Sequence, residues 1–171
     1  ECSGGLRGLK YGVTKHYVMG MELVLTNGDV IKWGGKTVKN VTGYDLTALY
    51  TGAEGTLGII TKILVKLIPA PEARKSFLAV FDDLNKAGTC ISSIIKNKVI
   101  PATLEIMDNV TIRTVENFTK AGLPVDAEAV VLIEVDGYKE SVMREAEIVE
   151  RICRECGAVE VKAAESDEER D

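Results

Sequence analysis

Apolar and polar positions alternate with a period of two between residues 19 and 25, where Met19, Met21, Leu23 and Leu25 are interleaved with Gly20, Glu22 and Val24. That is the pattern of a strand with one buried face. Thr26-Asn27-Gly28-Asp29 follows. Asn-Gly is the strongest short-range hairpin signal, because both residues tolerate positive φ. Val30 to Trp33 gives the returning strand, and Gly34-Gly35 ends it. Asp45 to Tyr50 predicts a short helical turn with Leu46, Leu49 and Tyr50 facing inward. After the glycine-rich stretch Gly52–Gly58, Ile59 to Ile68 predicts a long strand carrying Ile63, Val65 and Leu67 on one face.

Pro69-Ala70-Pro71 interrupts the pattern, since proline removes a donor and restricts the residue before it. The chain divides there into residues 1–70 and 71–171. The second part predicts a strand at Phe77–Phe81, then a helix capped by Asp82 or Asp83 with Leu84, Ala87, Ile91, Ile94 and Ile95 at helical spacing. A strand at Ala102–Met107 and a short helix after Asp108, through Ile112, Val115 and Phe118, come next. Ala129–Val135 is a strongly apolar strand. Residues 139–156 give the clearest helix, with Val142, Ala146, Val149, Cys153 and Cys156 on one stripe and Gly157 as its C-cap. Val159–Lys162 makes a last strand, and the charged tail Glu165–Asp171 is expected to fray. The order β-α-β-(α)-β-α-β predicts a ferredoxin-like α+β sandwich with one inserted helix.

Composition narrows the classes. The 171 residues are 46% hydrophobic and 27% charged, with a net charge of −5. No Lys/Arg block supplies the basic stripe of a nucleic-acid surface. No apolar run reaches the roughly 20 residues that span a bilayer, and the opening residues do not read as a secretory signal. The chain opens on Glu1 inside a glycine-rich loop, which predicts an internal fragment of a longer protein.

The cysteines, Cys2, Cys90, Cys153 and Cys156, show no disulfide framework and read as reduced thiols of a cytoplasmic protein. Cys153 and Cys156 lie three apart on a helix, where core packing is favoured over a redox or metal role. The one histidine, His16, is expected on the surface or in a loop. Two glycine-rich segments stand out: Ser3-Gly4-Gly5 with Lys10-Tyr11-Gly12, and Thr51-Gly52-Ala53-Glu54-Gly55-Thr56-Leu57-Gly58. Glycine admits close approach of a flat or phosphorylated ligand, and successive N–H groups hold anions. A tight turn feeding the next strand accounts for the second segment equally well. Neither fits a phosphate-binding P-loop or a dinucleotide-binding G-x-G-x-x-G.

Gly4-Gly5 with Lys10-Tyr11-Gly12-Val13-Thr14, the run Gly34-Gly35-Lys36-Thr37-Val38-Lys39-Asn40-Val41-Thr42-Gly43-Tyr44-Asp45-Leu46, and Gly52-Ala53-Glu54-Gly55-Thr56-Leu57-Gly58-Ile59-Ile60-Thr61 occur in that order. Together they resemble the glycolate oxidase flavoprotein subunit and the related FAD-linked D-lactate and D-2-hydroxyglutarate dehydrogenases. Ala53 stands where serine is usual. Pro101–Asp108 resembles the segment that opens the substrate, or cap, domain of that family.

The resemblance implies that residues 1–70 are the second subdomain of a two-part FAD-binding domain and residues 71–171 the first part of a ferredoxin-like cap. It places Gly4, Gly5, Lys10, Tyr11, Gly12, Glu54, Gly55, Thr56, Leu57, Gly58, Ile59 and Ile60 against the flavin. It implies oxidation of a small 2-hydroxy acid, of glycolate or D-lactate type, to the 2-oxo acid, with hydride passing to flavin N5 and electrons onward to an acceptor such as an iron–sulfur subunit. The cofactor supplies the redox chemistry and the protein positions it. The family's pyrophosphate loop and its metal-binding catalytic segment have no counterpart in this chain, so no catalytic residue and no metal ligand is assigned. Glu54 would tune the flavin or cap the loop's N–H groups. A half flavin domain leaves an apolar face, which predicts a homo-oligomer, and a cytoplasmic location, peripheral to the membrane through a partner, fits the same picture. Two other readings stay open: an FAD-linked oxidase of different substrate class, and a non-catalytic ferredoxin-like binding or oligomerisation module at residues 72–164.

Overall fold

A computed structural model describes residues 2–164. The charged tail Glu165–Asp171, expected to fray, lies outside the described residues. The described residues form two compact units, one of residues 2–5 and 12–69, the other of residues 6–11 and 70–164.

The first unit is a three-stranded antiparallel sheet in the order β2-β1-β3, with β1 at Val18–Val24, β2 at Val30–Gly34 and β3 at Ile59–Val65. The hairpin between β1 and β2 differs in detail from a two-residue Asn-Gly turn. Leu25 N–H donates to Asp29 O at 2.8 Å, so three residues form the loop, and of these Gly28 alone takes positive φ, at 89°. Asn27 is spared that conformation and instead accepts from the Asp29 N–H at 3.1 Å. This is the three-residue loop in which glycine supplies the left-handed position.

The alternation along β1 is broken once. Val18 pairs with Val65 and Gly20 with Leu64, so Met19 is the extra residue of a bulge. Met21 and Leu23 are buried as their spacing requires, but beyond the bulge Val18 takes the buried place and Met19 is half-buried. Strand β3 stops at Val65, short of Ile68. It is an edge strand, and Ile63, Val65 and Leu67, expected to share one face, are 54%, 49% and 86% exposed. The first unit therefore carries an exposed apolar edge at β3. The short helix α2, Leu46–Tyr50, is capped by Asp45, which accepts from the Ala48 N–H at 3.0 Å. Leu46 and Tyr50 are half-buried, whereas Leu49 is exposed, because one helical turn presents a single narrow face.

The second unit opens with a one-turn helix α1, Gly8–Tyr11, and then runs β4 Ala73–Phe81, α3 Leu84–Lys96, β5 Thr103–Asp108, α4 Asn109–Thr119, β6 Ala129–Gly137, α5 Lys139–Glu155 and β7 Glu160–Ala163. Its four strands are antiparallel in the order β5-β6-β4-β7. Counted within the unit, that is 2-3-1-4, the ferredoxin-like arrangement, and α4 is the inserted helix. Asp83 caps α3 by accepting from the Asn85 N–H at 2.7 Å, and Asp108 caps α4 by accepting from the Thr111 N–H at 2.8 Å.

One face of this sheet holds the main core. Phe77, Ala79 and Phe81 of β4 and Val131, Ile133 and Val135 of β6 meet Ala87, Cys90 and Ile94 of α3 and Val142, Ala146, Val149 and Cys153 of α5. Burying each such branched or aromatic side chain contributes roughly 1.5–3 kcal/mol. Leu84 and Ile95 of α3 stay partly exposed, and Cys90, not singled out by the helical spacing, takes a central place. Helix α4 rests on the opposite face through Ile112, which packs with Val80 and Val130, while Phe118 is 91% exposed. After α5, Gly157 adopts φ 84°, and the Ala158 N–H donates to Cys153 O at 3.0 Å, closing the helix.

Candidate functional site

Strand β6 shows how the second unit builds its polar site. Its odd positions, Ala129 to Val135, point into the main core, so its even positions face the other way. There Val130 packs under α4, but Glu134 and Asp136 carry carboxylates that are nevertheless buried, at 7% and 2% exposure. A buried carboxylate is costly unless paired. The pairing comes from residues 6–11. Arg7 Nη2 lies 3.0 Å from Glu134 Oε1, and Ser76 Oγ donates to Glu134 Oε2 at 3.2 Å. Lys10 Nζ lies 2.6 Å from Asp136 Oδ1, Tyr11 OH donates to Asp136 Oδ2 at 2.7 Å, and Lys10 Nζ also donates to the Asp136 backbone carbonyl. Burial pushes the Asp136 carboxyl up, but the hydrogen bonds from Lys10 and Tyr11 outweigh it, and with the Lys10 and Arg7 charges they leave it below the usual aspartate value.

Concave surface is found in the first unit. A pocket of about 230 Å³ is lined by Leu23, Tyr50, Ala53, Glu54, Gly55, Gly58, Ile59 and Ile60. Its rim is the second glycine-rich segment. Thr56 N–H and Oγ1–H both donate to Ala53 O, at 2.9 and 2.6 Å, which tightens the loop. Glu54 and Gly55 follow one another at φ 51° and 77°, and Gly58 lies at 145°. Among the described residues a Cβ on Gly55 would meet nothing within 4 Å, so the backbone is open there, whereas one on Gly58 would fall 2.7 Å from Leu23 Cδ2 and 2.8 Å from Val24 O. Gly55 keeps the surface flat and Gly58 lets the loop close onto β1.

The two glycine-rich segments of the first unit also approach each other. A Cβ on Gly52 would lie 3.3 Å from Cys2 Cβ, and Ser3 O accepts from Thr14 N–H at 3.0 Å and from Thr14 Oγ1 at 2.8 Å. Of the residues expected at a flavin, Gly4, Gly5, Gly12 and Glu54–Ile60 thus belong to the first unit, and Lys10 and Tyr11 to the second. His16 is an exposed loop residue whose Nδ1 accepts from the Val13 N–H at 3.3 Å.

A larger cleft of about 670 Å³ is lined by His16, Lys66, Trp33 and most of the run Thr37–Thr47. Trp33 stacks obliquely on Tyr50, with ring centroids 4.9 Å apart, and its buried indole N–H has no hydrogen-bond partner among the described residues. Sequence reasoning quoted this run but assigned it no site. The missed signal was Val38, Val41 and Tyr44, apolar residues in a loop, which are 89%, 81% and 94% exposed. Among the described residues no group of three or more His, Cys, Asp or Glu side chains converges to hold a metal ion, and no helix is long and apolar enough to cross a membrane.

Residues 70–171 match the family model of FAD linked oxidases, C-terminal domain. The chain belongs to the FAD-linked oxidase family. Over 169 residues this FAD-linked oxidase chain is 53% identical to the glycolate oxidase subunit GlcD of Bacillus subtilis, covering 99% of this chain and 36% of that protein. It is 42% identical to the Escherichia coli (strain K12) subunit of the same name, over 99% of this chain and 34% of that protein. A D-lactate dehydrogenase of Archaeoglobus fulgidus is 33% identical, over 99% of this chain and 37% of its own length. The chain therefore spans about a third of the curated relatives it matches. Among solved structures, an alkyldihydroxyacetonephosphate synthase superposes with a TM-score of 0.76 at 20% identity, covering 98% of this chain and 33% of that one. That likeness establishes a shared fold.

Proposed function

We propose that this FAD-linked oxidase chain is part of a longer flavoenzyme that oxidises a small 2-hydroxy acid, of glycolate or D-lactate type, to the 2-oxo acid. The observation that carries the reading is the 53% identity to a glycolate oxidase subunit over 99% of the chain. The D-lactate dehydrogenase at 33% identity points to the same class of substrate.

The residues present fit a flavin. A flat tricyclic ring needs a backbone without side chains in the way and an apolar edge. Gly55 has open space above it, and Ile59 and Ile60 beside it are 63% and 38% exposed. In this reading Gly4, Gly5, Lys10, Tyr11, Gly12 and Glu54–Ile60 hold FAD, the cofactor supplies hydride acceptance at N5, and the chain orients the ring and excludes water from it. Residues 1–70 serve as flavin-domain sequence and residues 71–171 as the ferredoxin-like cap. The relatives named as subunits support a partner, for which an iron–sulfur acceptor is the reading. The exposed apolar edge at β3 supports association with further polypeptide, including a second copy, in a cytoplasmic protein.

The test is the visible absorption spectrum of the intact protein, followed by anaerobic addition of glycolate, D-lactate or L-lactate. Retained flavin bleached by glycolate or D-lactate is the expected result. Flavin that stays oxidised with every 2-hydroxy acid would move the assignment to a different substrate class, and a colourless protein unable to take up FAD would overturn it.

A further inference from the structure

We propose that Glu134 and Asp136 form a two-carboxylate dock on β6 for residues 6–11, and that Asp136 is through it the positioning residue for Lys10 and Tyr11 at the flavin. The second half of the proposal rests on the functional reading above; the first half does not.

The spacing of the two partners is complementary. Carboxylates two apart on a strand share a face and stand roughly 7 Å from each other. Residues three and four apart on a helix share a face at about 5–6 Å. Arg7, Lys10 and Tyr11 have that helical spacing, and each meets a carboxylate, Arg7 on Glu134 and the other two on opposite oxygens of Asp136. The charged partners lie 126 or 127 residues apart in sequence, so no local preference accounts for the match.

Residues 6–11, which also approach β5, do not hold their place by local structure alone. Helix α1 has four residues, far below the length at which a helix persists alone. Leu6 and Leu9 are 58% and 52% exposed, so the segment is not anchored by its apolar side chains. Asp136 offers three acceptor atoms to two adjacent residues, and its side chain is fully shielded from solvent. Such a bidentate, charge-assisted arrangement fixes orientation as well as distance. Contacts to two adjacent residues specify where both Lys10 and Tyr11 lie.

The experiment compares the intact protein with Asp136→Asn and Tyr11→Phe, the latter removing one hydrogen bond and no charge. Hydrogen exchange of residues 6–12 and of α3 and α5 is followed by mass spectrometry, and FAD affinity by flavin fluorescence. In Asp136→Asn, exchange over 6–12 is expected to rise about tenfold more than that of α3 and α5 and FAD affinity to fall about tenfold, with Tyr11→Phe intermediate. Faster exchange with unchanged FAD affinity in both variants would reduce the dock to a structural staple and overturn the positioning role. Unchanged exchange in both would overturn the dock itself. Should Asp136→Asn fail to fold, Tyr11→Phe decides by the same two readouts. A wild-type protein that binds no FAD would overturn the functional reading and the positioning role with it, while the exchange comparison would still decide the dock.

Discussion

Lys10 Nζ lies 2.6 Å from Oδ1 of Asp136, a pair separated by 126 residues and joining the first helix of the second unit to its third strand. Removing one partner of a buried pair leaves the other uncompensated, which costs more than the pair contributes. Asp136→Asn is expected to lower stability at pH 7 by about 2–4 kcal/mol. The folded carboxyl titrates below its ordinary value of 3.8, so its contribution is complete above that value and is lost as pH falls through the folded pKa. Urea denaturation at pH 7, 5 and 3 should show the gap between wild type and variant constant at the first two and narrowed at the third. A gap that widened towards acid would contradict the assignment.

Glu22 makes a second, more exposed electrostatic cluster. It lies opposite Lys32 on β2 and Lys62 on β3, with its Oε2 3.0 and 3.1 Å from their ammonium groups. Hydrogen bonds from Lys32, Lys62 and Thr61 hold its carboxyl down at about 2. Its contribution is present above the unfolded value of 4.5 and lost as pH falls to about 2. The denaturation midpoint of Glu22→Gln should lie below that of wild type at pH 6 and meet it near pH 2. Because opposite charges across strands are screened by salt, the pH 6 difference should shrink in 1 M NaCl, and an unchanged difference would argue for packing instead.

Gly55 and Gly58 share a loop but not a constraint. At Gly55 alanine meets no atom and pays only for φ 77°, about 1 kcal/mol. At Gly58 it also collides with Leu23 and with the Val24 carbonyl, so Gly58→Ala is expected to cost about 3 kcal/mol. Parallel melting of the two variants checks the order. Equal losses would show that the loop moves off β1 to make room.

The thiols should separate by accessibility. Cys90 and Cys153 are fully buried with Sγ atoms 3.6 Å apart, and donation to Cys153 together with burial pushes the Cys90 thiol up. Cys2 and Cys156 are half-buried, and burial pushes Cys156 up. A disulfide reagent at pH 8 should modify Cys2 first, Cys156 more slowly, and Cys90 and Cys153 only after urea is added. Four thiols reacting at one rate in the native protein would refute the packing role of the pair.

Most elements were legible because each is written in local periodicity. The alternation of β1, the Asp83 and Asp108 caps and the stripe of α5 all announce themselves within a dozen residues. Leu49 and Phe118 misled because a short or peripherally attached helix buries fewer positions than its pattern offers. Residues 6–11 read as part of a glycine-rich first half, yet they fold with the second, since the partners that decide their place are on β6. Strand β6 itself read as plainly apolar. Glu134 and Asp136, two acids at same-face spacing, were the sign that its other face had a polar task, and only a distant complement could reveal what that task is. The glycines of the second glycine-rich segment were legible as a motif, while the roles of Gly55 and Gly58 became distinct only once β1 lay beneath one of them.

Strand β6 carries two messages in one stretch of nine residues, with aliphatic side chains on odd positions and carboxylates among the even ones. Substitution can edit either message separately. Insertion or deletion of a single residue cannot, because it would exchange them, driving Glu134 and Asp136 into the oily layer beneath α5 and offering valine and isoleucine to Arg7 and Lys10. Length variation within β6 should therefore be forbidden where point changes are tolerated, and a deletion scan would find this strand the least forgiving in the domain.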